Sequence, residues 1–408
     1  MTDAHFMQFA LRLARRGSGA TSPNPMVGAV LVKGGKIIGR GWHQRAGGSH
    51  AEIEALRDAQ KRRPSPRDAT LYVTLEPCST HGRTPPCTEA IIAAGIRRVV
   101  IGATDPNPKH AGKGFQILHR AGIEAVSFGS KSPSPGHRPP SPPAGEGDGV
   151  RGRSFGNKLT DECVKLNEVF NHWIVHHTPF VTVKAAMTLD GKIATASGES
   201  KWITGEKARG HGMKLRRVSD AILVGINTIL ADDPSLTART KMADGSWKMA
   251  KPVRRIVLDS MARTPLDAKV VSDELAALTM IVVSMAAPKK RVAALAERVD
   301  VIVAPTENSK FKIQNSKLDL KWLLKMLGAE NVTSLLVEGG GEVNASFLLG
   351  GFAQRVAFFY APKILGGRDS RKGVAGDGAK SLSEAIPLRE VAWRKLGEDL
   401  LLTARVGA

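Results

Sequence analysis

Cysteine is scarce in this 408-residue sequence: Cys78, Cys87 and Cys163 are the whole set. Three thiols argue against a disulfide framework. In an intracellular chain such residues serve more often as metal ligands, catalytic groups or buried bystanders. Aromatics are also few, at 5%, which leaves little for stacking nucleic-acid bases. Long apolar runs are missing. Neither "MTDAHFMQFALRLARRG" at the start nor any later segment is long enough for a secretory h-region or a membrane span, so a cytoplasmic protein with no membrane partner is expected. There is no long Lys/Arg block either, although the formal charge is +21 and the pI about 10.1. A field this positive draws nucleic acid and small phosphorylated substrates alike, so charge alone does not choose between them.

What is present suits a globular protein. Apolar content of 42% and charged content of 24% are ordinary, and the length is comfortable for two domains. Phe6, Phe9, Ala10 and Leu13 recur at helical spacing, and Gly17 closes that segment. "MVGAVLVKGGKIIGRGW" reads as two strands joined at Gly34-Gly35. "HAEIEALRDAQKRR" is a helix, "TLYVTLEPC" a strand, "PPCTEAIIAAG" a helix and "RRVVIGATDP" a strand. Such alternation predicts an α/β layered domain. Residues 130–154 are Pro, Gly and Ser with almost no apolar side chains, the composition of a disordered insertion. "TDECVKLNEVFNHWIVHH" then reads as helical. The domains are expected at 1–177 and 178–408. In the second, "PFVTVKAAM", "AILVGIN", "VRRIVLDS", "TMIVVSM", "VDVIVAP", "TSLLVEGG" and "RVAFFYAPKIL" are strand candidates, and 308–319 resembles a second polar insertion.

The chemistry concentrates in "SHAEIEALRD" and "LEPCSTHGRTPPC". A catalytic zinc takes three protein ligands of imidazole and thiolate type and keeps a fourth position for water. His50, Cys78 and Cys87 supply that set. His50 and Cys87 fall at expected helix N-termini, which favour a thiolate and a neutral imidazole. Glu52 can reach the metal-bound water without being a ligand, take its proton and return it to a leaving amine. This is the His-x-Glu, Pro-Cys, Cys order of zinc nucleobase deaminases, except that the cysteines are separated by eight residues, 79–86. "LLVEGGGEVNASFLL" reads as a strand, a glycine turn and a helix, open to a dinucleotide phosphate. It equally suits a plain tight turn.

"SPNPMVGAVLV", "HAEIEAL", "TLEPCSTHGRTPPC", "DPNPKHAGKG", "KAAMTLDGKIA", "SGESKWIT", "AILVGINTILADDPSLTAR", "VEGGGEVNASF" and "FFYAPKILGG" together resemble the bifunctional deaminase/reductase family of riboflavin biosynthesis. The resemblance covers nearly the whole chain outside the two insertions. It implies a cytidine-deaminase-like three-layer domain followed by a dihydrofolate-reductase-like α/β domain, zinc and NADPH as cofactors, and a homo-oligomer, dimer or tetramer. The implied reactions are hydrolytic deamination of 2,5-diamino-6-(5-phosphoribosylamino)pyrimidin-4(3H)-one and then reduction of its ribosyl group to a ribityl chain.

By the same resemblance Asn24, His43, Arg83, Asp105 and Asn107 surround the pyrimidine or its phosphate. Asn24 reads equally as a turn residue between two prolines. Asp105 and Asn107 sit where a strand ends, the usual place of α/β ligand sites. His81 lines the pocket or is solvated, and Thr80 stands where the family usually has histidine. In the second domain Lys184 and Asp232 are implied near the sugar chemistry, although Lys184 also suits a strand-end charge and Asp232 a turn, and Asp233 is not separable from Asp232. Ser200, Arg216 and Arg239 match substrate-phosphate contacts, for which the planar arginine fork is suited, and Leu236 and Glu338 match further substrate positions. Trp202, Thr204, Thr228, Gly339 and Gly340 match cofactor positions, with Trp202 as plain core the alternative. Gly210 and Gly212 interrupt the helix expected to carry Arg216 and should loosen it. The rival readings are a zinc deaminase acting on nucleic acid with a basic accessory domain, and a non-catalytic basic binding protein. An intact Glu52 speaks against the latter.

Overall fold

The computed structural model describes residues 2–62, 64–81, 85–129, 155–242, 244–305 and 318–407. The chain forms two compact units, Met1–His176 and His177–Ala408. The Pro/Gly/Ser-rich stretch 130–154 and residues 308–317 of the second polar stretch lie outside the described residues. No helix among the described residues is long and apolar enough to cross a membrane.

The first unit runs α1 (Asp3–Ala14), β1 (Gly28–Lys33), β2 (Lys36–Trp42), α2 (Ala51–Lys61), β3 (Thr70–Val73), α3 (Cys87–Ala93), β4 (Arg98–Ile101), α4 (Lys113–Arg120), β5 (Glu124–Ser127), α5 (Phe155–Leu166) and α6 (Glu168–His176). Its sheet has the order β2-β1-β3-β4-β5. The β1–β2 turn needs two left-handed residues, and Gly34 and Gly35 supply them with φ of 55° and 71°. Strand side chains alternate between faces. Val30, Val32, Tyr72 and Val100 pack with α1 and with Leu159 and Cys163 of α5. Ala29, Leu31, Leu71, Val73, Val99 and Ile101 pack with α2, Ile91 of α3 and Leu118 of α4. The result is three layers, helix on sheet on helix.

Helix α2 lies unusually close to the sheet. Its buried face is Ala51, Ala55 and Ala59. A Cβ on Gly41 would lie 2.1 Å from the Ala51 carbonyl oxygen, and one on Gly39 would lie 2.3 Å from that of Ala55. Small residues on both partners therefore fix where α2 begins. Two expectations change. Strand β3 stops at Val73: Thr74 bonds Gly28 once more, through its N–H to the carbonyl and through Oγ1 to the N–H, and the chain from there to Cys78 runs outside any strand. The helical stretch after residue 160 divides at Asn167, whose buried side chain bonds both main-chain groups of Met26.

The second unit contains β6 (Phe180–Thr188), β7 (Lys192–Ala194), α7 (Glu206–Val218), β8 (Ala221–Gly225), α8 (Ile226–Asp232), β9 (Ala238–Lys241), β10 (Trp247–Lys251), β11 (Arg254–Leu258), α9 (Lys269–Ser272), β12 (Thr279–Ser284), α10 (Lys289–Ala296), β13 (Asp300–Ala304), α11 (Leu320–Ala329), β14 (Ser334–Val337), α12 (Gly341–Leu349), β15 (Arg355–Ala361), β16 (Arg371–Lys372), β17 (Leu388–Leu396) and β18 (Asp399–Val406). A nine-stranded sheet has the order β13-β12-β11-β8-β14-β6-β15-β18-β17. It is parallel from β13 to β15 and antiparallel thereafter. Its inner parallel strands are covered on both faces and read as apolar runs, and all seven strand candidates fall in this sheet. β17 is exposed along nearly its whole length and carries no alternating signal.

The second polar stretch ends earlier than its composition suggests. Leu318 is buried, and Asp319 Oδ1 accepts the Trp322 N–H to cap α11. Helix α7 runs unbroken through Gly210 and Gly212.

Candidate active sites

In the first unit the close packing of α2 places His50 at its N-cap, with Glu52 in the first turn. Cys87 opens α3 behind Pro86, and Cys78 lies on the segment that leaves β3. His50 Nδ1 is 3.4 Å from Cys78 Sγ and 3.3 Å from Cys87 Sγ. The three donor atoms lie within 4.8 Å of one another. The Cys87 N–H donates to Cys78 Sγ at 3.2 Å. One imidazole and two free thiols converging this tightly form a nitrogen–sulfur donor set that suits zinc and leaves a tetrahedral position open.

Glu52 is buried. Burial, aided by the neighbouring Cys78 sulfur, pushes its carboxyl up to about 7. The hydrogen bond between the two cysteines lowers the Cys78 pKa and raises that of Cys87, and the bond to Cys78 raises that of His50.

The other expected residues fall around this cluster to different degrees. His43 is buried, and its ring meets that of His50 edge-on at 5.5 Å. His43 Nδ1 lies 3.0 Å from the Ser49 carbonyl, and Nε2 lies 3.2 Å from Asn24 Nδ2. A proton on Nδ1 satisfies both contacts, with the Asn24 amide donating, and burial lowers the pKa of this histidine. Asp105 Oδ1 accepts the Asn107 N–H, and Asn107 Oδ1 accepts the Lys109 N–H, so both side chains take part in loop turns. Arg83 lies outside the described residues. His81 is 72% exposed beside Glu89, and Thr80 is exposed. Cys163 is buried away from the cluster, with its thiol pushed up to about 12 by burial. Glu76, which carries no chemical signal in the sequence, binds through its carboxylate the loop that carries Asp105.

In the second unit the expected residues, Leu236 and Gly339 apart, divide between two cavities. The larger, about 820 Å³, is lined by Lys184, Trp202, Thr204, Arg216, Arg239 and Glu338 among others. The smaller, about 380 Å³, is lined by Ser200, Thr228, Asp232 and Gly340 with Gly225 and Ser260. Residues 200–202 thus pass from one lining to the other, and Lys184 and Asp232 belong to different linings. Trp202 is not core: it is 65% exposed, with the Arg209 guanidinium 4.7 Å above its ring.

Arg216 and Glu338 form a fork-to-fork pair, Nε to Oε1 at 3.0 Å and Nη2 to Oε2 at 2.6 Å, while Arg216 Nη1 donates to the Thr237 carbonyl. The pair is largely buried. Burial alone would raise the Glu338 pKa, but Arg216 and then Lys184 outweigh it and hold the carboxyl at about 2. Gly212 faces Lys184, since a Cβ there would come within 3.9 Å of Lys184 Cε.

The smaller cavity separates the two aspartates. Asp232 Oδ1 is 3.5 Å from Ser200 Oγ and 3.3 Å from Lys201 Nζ. Asp233 instead accepts the Lys269 N–H at 2.9 Å and pairs with its ammonium. Gly340 leaves open space where a Cβ would stand, while Gly339 packs against Val343. Arg263, Arg371 and Lys372 also line this cavity, and the sequence reading named none of them. The Leu236 side chain is buried in the core and lines neither cavity, and its main chain has a φ of 48°.

The profile of the cytidine and deoxycytidylate deaminase zinc-binding region matches residues 1–103, and that of the RibD C-terminal domain matches residues 179–402. The chain therefore joins a zinc-binding deaminase region to a reductase-type domain. The riboflavin biosynthesis protein RibD of Actinobacillus pleuropneumoniae is 40% identical over 98% of this chain and 95% of its own length. That of Aquifex aeolicus is 40% identical over 98% and 97%. A solved structure of Acinetobacter baumannii RibD aligns with a TM-score of 0.78 at 32% identity, covering 100% of this chain and 99% of its own. The diaminohydroxyphosphoribosylaminopyrimidine deaminase/5-amino-6-(5-phosphoribosylamino)uracil reductase of Thermotoga maritima aligns with a TM-score of 0.74 at 32% identity, covering 99% of each chain. The chain belongs to the RibD family of riboflavin biosynthesis proteins.

Proposed function

We propose that the chain catalyses two successive steps on one phosphorylated pyrimidine, deamination in the first unit and reduction in the second. The observation that carries this is the convergence of His50, Cys78 and Cys87 beside a buried Glu52, in a chain related to RibD along its whole length.

In the first unit His50, Cys78 and Cys87 hold zinc, which when bound makes water a nucleophile at neutral pH. Glu52 takes the proton of the attacking water and delivers it to the amine. The new carbon–oxygen bond replaces the carbon–nitrogen bond, and ammonia leaves. A carboxyl raised to about 7 is well matched to accepting and then donating. Asn24, held by His43, and Asp105 and Asn107 bind the pyrimidine, and Arg83 takes its phosphate.

In the second unit the residues of the smaller cavity would hold NADPH, which when bound would supply the hydride. Gly340 gives the cofactor a close approach, Thr228 borders it, and the N-terminus of α12 with Arg263, Arg371 and Lys372 suits its phosphates. The larger cavity holds the substrate at Arg239, and Trp202 and Thr204, expected at the cofactor, line the same cavity and would meet the nicotinamide end there. Hydride adds to the ribosyl carbon bearing the amine, the bond from that carbon to the ring oxygen breaks, and that oxygen receives a proton. Lys184 stands over the larger cavity for this transfer, and Asp232 with Ser200 aligns the reacting ends across the 200–202 crossing. Arg216 is oriented by Glu338.

The ligand is a small molecule rather than nucleic acid. Reduced Cys78 and Cys87 suit the cytoplasm. The open edge of β17, with Val391 and Trp393 exposed, suits a homo-oligomer, which light scattering would detect. The activity itself is tested by supplying the diaminopyrimidinone ribosyl phosphate and following NADPH absorbance. Substrate-dependent loss that a zinc chelator abolishes is expected. Ammonia release without NADPH loss would remove the reductase half of the proposal.

A further inference from the structure

The Glu76 carboxylate takes no part in the two reactions, yet it is 5% exposed and, among the described residues, every hydrogen bond it accepts comes from one loop. Oε2 accepts the main-chain N–H of Asp105 at 3.1 Å and of Gly112 at 3.0 Å, and Oε1 accepts that of Gly114 at 2.8 Å. The Glu76 N–H donates to the Ala103 carbonyl at 2.9 Å. One side chain therefore ties together both ends of the segment 105–114.

The glycines of "GKG" follow from this grip. Gly112 has a φ of 76°, a conformation that side chains resist. A Cβ on Gly114 would lie 3.0 Å from Glu76 Oε1 and 2.6 Å from the Pro77 carbonyl oxygen, so only glycine lets the loop close on the carboxylate. Inside the loop the Asn107 carbonyl accepts the His110 and Ala111 N–H groups, and the Asp105 and Asn107 side chains close successive turns. The loop is braced internally and anchored at both ends. Its anchor is two residues from Cys78 on the same segment.

We infer that Glu76 is a positioning residue of the deamination site: its carboxylate sets the loop that presents Asp105 and Asn107 to the pyrimidine against the segment that carries Cys78. This rests on the deaminase reading of the first unit. Glu76 touches neither substrate nor metal, so its effect falls on binding rather than on proton transfer.

Glu76→Gln tests the inference. Whichever way the amide turns, it presents an NH₂ donor to at least one N–H that now has an acceptor. The expected result is unchanged zinc content, a KM for the diaminopyrimidinone raised about 10-fold or more, and a kcat changed by less than about threefold. Amide hydrogen exchange in 105–114 should quicken. Glu76→Asp keeps the charge and should lie between the variant and the wild type; should Glu76→Gln fail to fold, Glu76→Asp decides by the same split. An unchanged KM would overturn the inference. So would kcat falling together with zinc content, because Glu76 would then only support the metal segment. Absence of ammonia release by the wild-type protein would instead remove the deaminase reading itself.

Discussion

The two sites are built in opposite ways. The deaminase site is local in design: two helix starts and one strand exit bring three rare donor residues together, with the proton carrier two residues from one of them. The reductase site is dispersed. Its firmest interaction joins Arg216 to Glu338 across 122 positions, and most of its expected residues divide between two cavities. A site of the first kind should fail outright when one ligand is removed. A site of the second kind should fail by degrees, with stability and activity affected together.

The contrast is tested most severely at Cys87. Cys87→Ala should abolish zinc binding and ammonia release, while NADPH oxidation with already deaminated substrate continues. Metal analysis and the two assays on one preparation would check this, and parallel loss of both activities would contradict it.

Next in size is Glu338→Gln, which leaves the Arg216 charge buried without its partner, at a cost of about 3–5 kcal/mol readable by denaturant unfolding. The pH dependence has a definite sign. The Glu338 carboxyl is held at about 2 in the folded state, below its unfolded value of about 4.3. Its stabilisation is therefore full above that value and lost as pH falls from about 4 towards about 2. Wild-type stability should show this acid limb, and the variant should show less of it.

Smaller effects separate the aspartates. Asp232→Asn should lower the reductase kcat by about 10²-fold, whereas Asp233→Asn should leave it within about twofold, because Asp233 faces Lys269. Comparable losses in both would erase the distinction. A more indirect loss is expected from Gly41→Ala, whose new Cβ meets the Ala51 carbonyl and lifts the start of α2. It should cost about 1–3 kcal/mol and weaken zinc binding through His50, as competition with a chelator would measure.

The same contrast decides what the sequence could reveal. His50, Cys78 and Cys87 are legible because the residue types are few and their order is chemically specific. Strands β6, β8, β11, β12 and β14 are legible because both faces of a parallel strand are apolar. Glu76 is not legible, since nothing in its spacing signals three main-chain donors arriving from residues 105, 112 and 114. The Arg216–Glu338 pair is likewise invisible before folding: arginine reads as a phosphate ligand, and only the structure shows its fork turned to a carboxylate. Asp232 and Asp233 have the same chemistry and differ only by the turn that points one to a cavity and the other to Lys269. β17 lacked a signal because it is exposed.

The most direct test of the account is a Glu52→Gln variant, measured for zinc content and for ammonia released from the diaminopyrimidinone. Zinc should stay bound, because Glu52 is not a ligand, while ammonia release should fall by about 10²–10⁴-fold, the usual contribution of a general acid–base group. Retained zinc with near wild-type ammonia release would contradict it.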